Sequence, residues 1–172
     1  KILQYFESAR QAWVAKNSEW EKIDLEKTII ENIFAYKTKI NPAEEQNKLK
    51  QLQINLLIPE DPRFFTALKE IHDPPQLLYY RGHLPEPDSL MVAVVGTRMI
   101  TGYGRVTTPI ITKSLAGGGA VIVSGLAYGV DAEAHKAALE AKGITLAVLG
   151  CGIDDATIYP KDHLLLATEI LE

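Results

Sequence analysis

The sequence predicts an α/β fold: a parallel sheet wound with helices, preceded by a smaller, mostly helical domain. Three observations carry that prediction. Residues 85–172 contain three short apolar runs, each followed by a glycine-bearing turn and separated from the next by a helical stretch. Of the 12 glycines, 11 lie in that part of the chain and only Gly82 precedes it. The first 60 residues instead repeat apolar side chains every three or four positions, the spacing of amphipathic helices. A chain of 172 residues that is 47% hydrophobic and 23% charged can build a core on this scale, which excludes a disordered protein.

The elements follow in order. In residues 1–16, Ile2, Leu3, Phe6, Ala9 and Trp13 share one helical face. A second helix over 24–36, with Asp24 at its N-cap, carries Leu25, Ile29, Ile30, Ile33 and Phe34 on its apolar stripe. Asn41 and Pro42 open a third helix over 42–53, with Glu44 and Glu45 near its positive end. Residues 54–58 then read as a short strand, 64–70 as a short helix, and 77–80 as an extended segment leading into Arg81 and Gly82. Phe6, Trp13, Trp20 and Phe34 could form a base-stacking surface, but their helical spacing favours core packing. The predicted organisation is a helical domain over 1–60, a connecting segment over 61–84, and a sheet domain over 85–172.

Within the sheet domain, residues 91–95 are a Val-rich run that fits a strand buried on both faces. A helix over 105–116 ends at the triple glycine 117–119, and residues 120–123 form a second buried strand. The next helix spans 131–142, with Gly143 as its C-terminal glycine, and a third strand spans 144–149. Strand–helix alternation of this length means βαβ units in a Rossmann-like parallel sheet, present in part.

Ligands of open parallel sheets sit outside the carboxyl ends of the strands. Here those ends carry Gly96, Gly125, and Gly150 with Gly152. Glycine lets a backbone approach a ligand closely, and backbone N–H groups at helix starts attract anions. Three such turns side by side point to a phosphate-binding floor, although any one of them could be only a tight turn. Arg98 follows the first strand, where its planar guanidinium suits bidentate phosphate recognition. Neither the dinucleotide fingerprint G-x-G-x-x-G nor the P-loop string occurs, which argues against NAD enzymes and P-loop NTPases.

Other features bound the chemistry. The net charge of −4, from 18 basic and 22 acidic residues, excludes a protein that grips DNA with a blanket of positive charge. Cys151 is the only cysteine, so internal disulfides and cysteine-cluster metal sites are excluded and no metal or cofactor is expected. No apolar run reaches the ~20 residues of a membrane helix; a cytoplasmic setting without membrane partners is expected. Asp131 and His135 lie one helical turn apart and could be an acid–histidine catalytic pair. A structural role is preferred, with Asp131 capping the helix and His135 bonding nearby loops, since no nucleophile accompanies them. His72, His83 and His163 look incidental, and Cys151 reads as a small buried residue. The chain starts at Lys1 and stops in a helical pattern at Glu172, which reads as a fragment.

Several of these strings together resemble the DNA-processing protein A (DprA, or Smf) family. Val92-Ala-Val-Val-Gly-Thr-Arg98 with Thr101-Gly-Tyr-Gly104 is similar to that family's opening motif. Ile122-Val-Ser-Gly-Leu-Ala-Tyr-Gly-Val-Asp131, with Ala134 and His135, resembles its second motif. Thr145 to Gly150, Gly152, Asp154, Tyr159 and Pro160 resemble the third, and Asp73-Pro-Pro75 with Arg81-Gly82 the segment before the sheet. The usual Tyr-Pro of that segment is replaced by Phe64-Phe65.

The resemblance implies a non-enzymatic protein of natural transformation that binds and protects single-stranded DNA and loads the RecA recombinase onto it. It implies a homodimer in the full-length protein and a helical domain of the SAM or helix-hairpin-helix kind. The implied DNA site comprises Gly96, Thr97 and Arg98; Ser124, Gly125, Leu126, Ala127 and Gly129; and Gly150 and Gly152, with Asp131 and His135 shaping it. The helix-hairpin-helix glycine motif and the second half of the Rossmann-like domain are expected outside this sequence. The alternative is a nucleotide-processing enzyme or nucleotide sensor of the lysine-decarboxylase-like or cytokinin-activating group, whose P-G-G-x-G-T string is not found here.

Overall fold

The structure, a computed structural model, describes all 172 residues and falls into two units, Lys1–Lys50 and Gln51–Glu172. In the first, the predicted opening helix over 1–16 is two short ones, α1 (Ile2–Phe6) and α2 (Ala9–Val14), and a third, α3 (Asn17–Trp20), follows where none was predicted. The breaks have local causes. Glu7 adopts a left-handed conformation with φ 60°, and the Ser8 hydroxyl caps α2 by accepting from the Gln11 N–H at 3.2 Å. Helix α4 (Lys27–Lys37) begins after Glu26 rather than at Asp24, whose carboxylate instead pairs with Lys1 at 2.9 Å. Helix α5 (Pro42–Gln51) starts as predicted at Asn41, whose side-chain oxygen accepts from the Ala43 N–H at 3.1 Å. Phe6, Trp20 and Ile30 are buried in one cluster with Phe34 packed against it, and the Trp20 indole donates to the Ala12 carbonyl at 3.1 Å. Of the four aromatics Phe6 and Trp20 are buried, Phe34 is half-buried and Trp13 is exposed.

The second unit opens with β1 (Asn55–Leu57), α6 (Thr66–Lys69) and β2 (Leu78–Tyr80). Strand β1, which the sequence grouped with the helices, pairs antiparallel with β2 and so belongs here. Leu57 of β1 and Phe64, just before α6, are almost fully buried. Arg81 then ties the ribbon's exit to the far end of the chain, pairing with the Asp155 carboxylate and donating to the Ile153 carbonyl.

The larger sheet is parallel in the order β3 (Met91–Ala93), β4 (Val121–Ser124), β5 (Thr145–Ala147). Its connections are α7 (Gly102–Gly117) and α8 (Val130–Glu140), and α9 (Leu164–Leu171) follows a 3-10 turn at Lys161–His163. Helix α7 begins three residues before the predicted start because the Thr101 hydroxyl caps it, accepting from the Gly104 N–H.

The expectation of strands buried on both faces holds for the central strand β4, where Val121 and Ile122 are both buried, and is corrected for the flanking β3 and β5. Strands in sequential order with crossovers of one hand carry their helices on one face, and α7 packs along α8 here. Val94, Ile122, Ala116, Ala134 and Ala138 form one core cluster on that face; Ala132, Ala147, Leu149 and Leu166 belong to a second. The alternate residues point the other way, leaving Val95, Ile144 and Val148 more than half exposed. Gly143 is also reassigned. The left-handed residue after α8 is Lys142, with φ 55°, whereas a Cβ on Gly143 would collide with Ala116 of α7. Glycine there permits close helix packing rather than the turn itself.

Candidate functional site

At the carboxyl ends of the three strands, a small cavity of about 170 Å³ is lined by Arg98, Gly125, Ala127, Tyr128, Gly150, Cys151, Tyr159 and Pro160. It draws on all three turns that the sequence placed side by side. Four predicted residues line it directly: Arg98, Gly125, Ala127 and Gly150. Sequence reading missed Tyr128, Cys151, Tyr159 and Pro160. Tyr159 and Pro160, joined by a cis peptide bond, sit where the chain returns over the strand ends. Cys151 is half-buried on the cavity wall, not in the core as expected.

The remaining predicted residues have other positions. Ser124 is buried and donates its hydroxyl to the Val94 carbonyl at 2.7 Å, fastening β4 to β3. Leu126 is fully buried against Ala132, Ile158 and Leu166, so its side chain points away from the cavity. The Thr97 hydroxyl accepts from the Met99 N–H at 3.1 Å and shapes the first turn. Gly96 packs against Val130, where a Cβ would come within 2.8 Å of the Val130 Cγ2 methyl. Gly152 lies against the Thr157 side chain, and Gly129 against the Thr97 and Arg98 carbonyls. Packing alone therefore accounts for Gly96, Gly129 and Gly152. Gly150 is different, because nothing lies within 4 Å of where its Cβ would be.

Gly129 also clamps the first turn to the second. It has φ 81°, and the following Val130 N–H donates to the Thr97 carbonyl at 3.2 Å. The result is a fixed backbone beneath Arg98. That guanidinium is exposed and has no carboxylate within ion-pair distance. An unpaired cation above a glycine-edged cavity can receive an anion without first breaking a salt bridge.

Asp131 and His135 do not meet as a catalytic pair. Gly129, not Asp131, occupies the N-cap of α8. The Asp131 carboxylate accepts from the Gly125 N–H at 3.1 Å, so it braces the second turn from behind. His135 is fully buried and bonds a strand rather than the loops. Its Nδ1–H donates to the Thr145 hydroxyl at 2.7 Å, and that hydroxyl donates to the Ile122 carbonyl at 2.9 Å. Burial pulls its pKa down to about 4 despite the nearby Asp131 charge. The ring is neutral at pH 7 and links α8, β5 and β4.

His163 proves to be placed rather than incidental. Its Nδ1–H donates to the Leu126 carbonyl at 2.8 Å, and its ring meets the Tyr128 ring edge-on at 5.0 Å. The Tyr128 hydroxyl in turn donates to Asp162 at 2.8 Å, so both ends of this side chain are held. No spacing rule would have found these contacts, since they join residues 34 or more positions apart.

Comparison with known proteins identifies the family and matches the fold. Residues 55–172 match the family model of the DNA recombination-mediator protein A. Protein Smf of Synechocystis sp. is 36% identical over 99% of this chain, and Protein Smf of Escherichia coli is 37% identical over 93% of it. The chain spans less than half the length of these two relatives, 44% and 43% respectively. Among solved structures, DNA processing protein A from Streptococcus pneumoniae superposes with a TM-score of 0.79 at 29% identity, covering 99% of this chain and 57% of that one. DNA processing protein A from Helicobacter pylori, described for its single-stranded DNA binding mode, gives a TM-score of 0.60 at 35% identity over 70% of this chain and 53% of that one. The chain therefore belongs to the DNA recombination-mediator protein A family, also known as DprA or Smf.

Proposed function

We propose that this chain supplies the phosphate-gripping part of a protein that binds single-stranded DNA, protects it during natural transformation, and helps load RecA onto it. The observation that carries the reading is the unpaired Arg98 guanidinium over a cavity edged by Gly125 and Gly150. Cavities that enclose a whole drug-sized molecule run from about 300 Å³ upward. One of about 170 Å³ suits a single group of a longer ligand, such as one phosphate of a strand. The reading is of a binding protein rather than an enzyme, supported by the structural engagement of Asp131 and His135. Action in the cytoplasm and dimerisation of the complete protein belong to the same proposal, on the strength of the family.

A titration of labelled poly-dT, duplex DNA and mononucleotides against the protein tests it. Poly-dT is expected to bind best. Arg98→Ala should lose most of that affinity, at least about tenfold for one charge-assisted phosphate contact, with thermal stability nearly unchanged. Tight binding of a mononucleotide without poly-dT binding, or release of a base from a nucleoside monophosphate, would overturn the reading.

A further inference from the structure

Beside the glycine-edged cavity lies a second, larger depression of about 530 Å³. Arg98 and Tyr128 line both, so the two spaces are contiguous along one wall. The second groove is otherwise bordered by Arg105 from α7 and by Glu133 and Lys136 from α8. Residues 85–172 contain only six basic side chains, and three of them, Arg98, Arg105 and Lys136, converge here. Neither arginine forms an ion pair. Glu133 is the one carboxylate on the wall, and its nitrogen–oxygen separation from Lys136 is a long 3.6 Å. In a chain of net charge −4, this local excess of positive charge marks an anion path.

We infer that the groove is a second strand subsite, in which the nucleotide next to the one held at the glycine-edged cavity lies with its phosphate between Arg105 and Lys136. The inference rests on the single-stranded DNA reading above and extends it to the direction the strand takes. Size supports it: about 530 Å³ lies within the range that houses whole small ligands, whereas the first cavity does not. Tyr128 stands at the junction with 40% of its surface exposed and its ring fixed by Asp162 and His163. A fixed aromatic face between two phosphate positions is the arrangement that base stacking uses. Glu133 acts against the second phosphate and sets an upper limit on affinity.

The test is a ladder of oligo-dT lengths, titrated at several salt concentrations against the protein and four variants. Arg105→Ala combined with Lys136→Ala should weaken binding of long strands roughly tenfold or more. It should also flatten the plot of log K against log salt by about 0.7, the contribution of one neutralised phosphate of a single strand. Binding of thymidine monophosphate, whose single phosphate needs only the first cavity, should be unaffected. Glu133→Gln should tighten long-strand binding and steepen the slope. Lys113→Ala, on α7 but outside the groove, should change nothing. Arg98→Ala should weaken short and long strands alike. Wild-type affinity and slope in the double variant, with Arg98→Ala still defective, would overturn the second subsite and leave the first reading standing. Unchanged binding in Arg98→Ala would overturn both.

Discussion

Gly150 and His135 show how differently two residues of one site region are constrained. A Cβ on Gly150 would meet open space, and its backbone needs no left-handed conformation, so packing does not require glycine there. Gly150→Ala is expected to keep its melting temperature while narrowing the cavity mouth and weakening poly-dT binding. Equal loss of stability and affinity would show the glycine to be structural after all. His135 is held by the interior. Its folded pKa of about 4 lies below the ordinary 6.5, so at acid pH the unfolded chain takes up a proton that the folded chain refuses. Stability from this group is therefore undiminished above pH 6.5 and falls as the pH drops from 6.5 towards 4, by about 3 kcal/mol in all. Urea denaturation across that window checks it. His135→Asn should abolish the histidine-dependent part of the slope.

At the level of elements, the turns between strand and helix decide both shape and chemistry. Leu126 adopts φ 58° inside the second turn, a conformation costly for a branched side chain. The turn keeps it because the side chain is fully buried among Ala132, Ile158 and Leu166 and its carbonyl accepts from His163. Burial of a leucine is worth about 2–5 kcal/mol by truncation, which outweighs a strain of about 1–3 kcal/mol. The end of α8 presents the reverse case. Lys142 is exposed with φ 55° and forms no ion pair to offset the strain. Lys142→Gly should stabilise the fold by about 1 kcal/mol, read as a higher denaturant midpoint at unchanged slope. An unchanged or lower midpoint would refute this account of the α8 terminus.

Across the whole molecule, charge and surface are unevenly distributed. The net charge of −4 coexists with a basic strip at the strand ends, so attraction to phosphate is local. Binding of single strands is expected to weaken with salt, by about 0.7 in log K per log salt for each phosphate neutralised. A slope near zero would remove the electrostatic basis of the site. The opposite face of the parallel sheet is apolar and open along its outer strands, with Val95, Ile144 and Val148 more than half exposed, while Val121 at its centre is buried; α7, α8 and α9 gather on the other side.

The sequence by itself determined the α/β class, the three strands, the glycine-bearing turns at their ends and the position of Arg98. Those features are local: strand and helix periods, turn residues and a basic side chain at a strand end are all written in short stretches of chain. Tertiary structure decided which of the turn residues face the cavity. Ser124 and Leu126 sit inside the same motif as Gly125 and Ala127, yet pleat alternation and a left-handed backbone send their side chains inward. It also decided that His135 is a buried brace and that Tyr128, Tyr159, Arg105 and Lys136 border the cavities. These depend on contacts between residues far apart in the chain, set by how α8 and the segment after β5 pack back onto the sheet, and no local pattern encodes them.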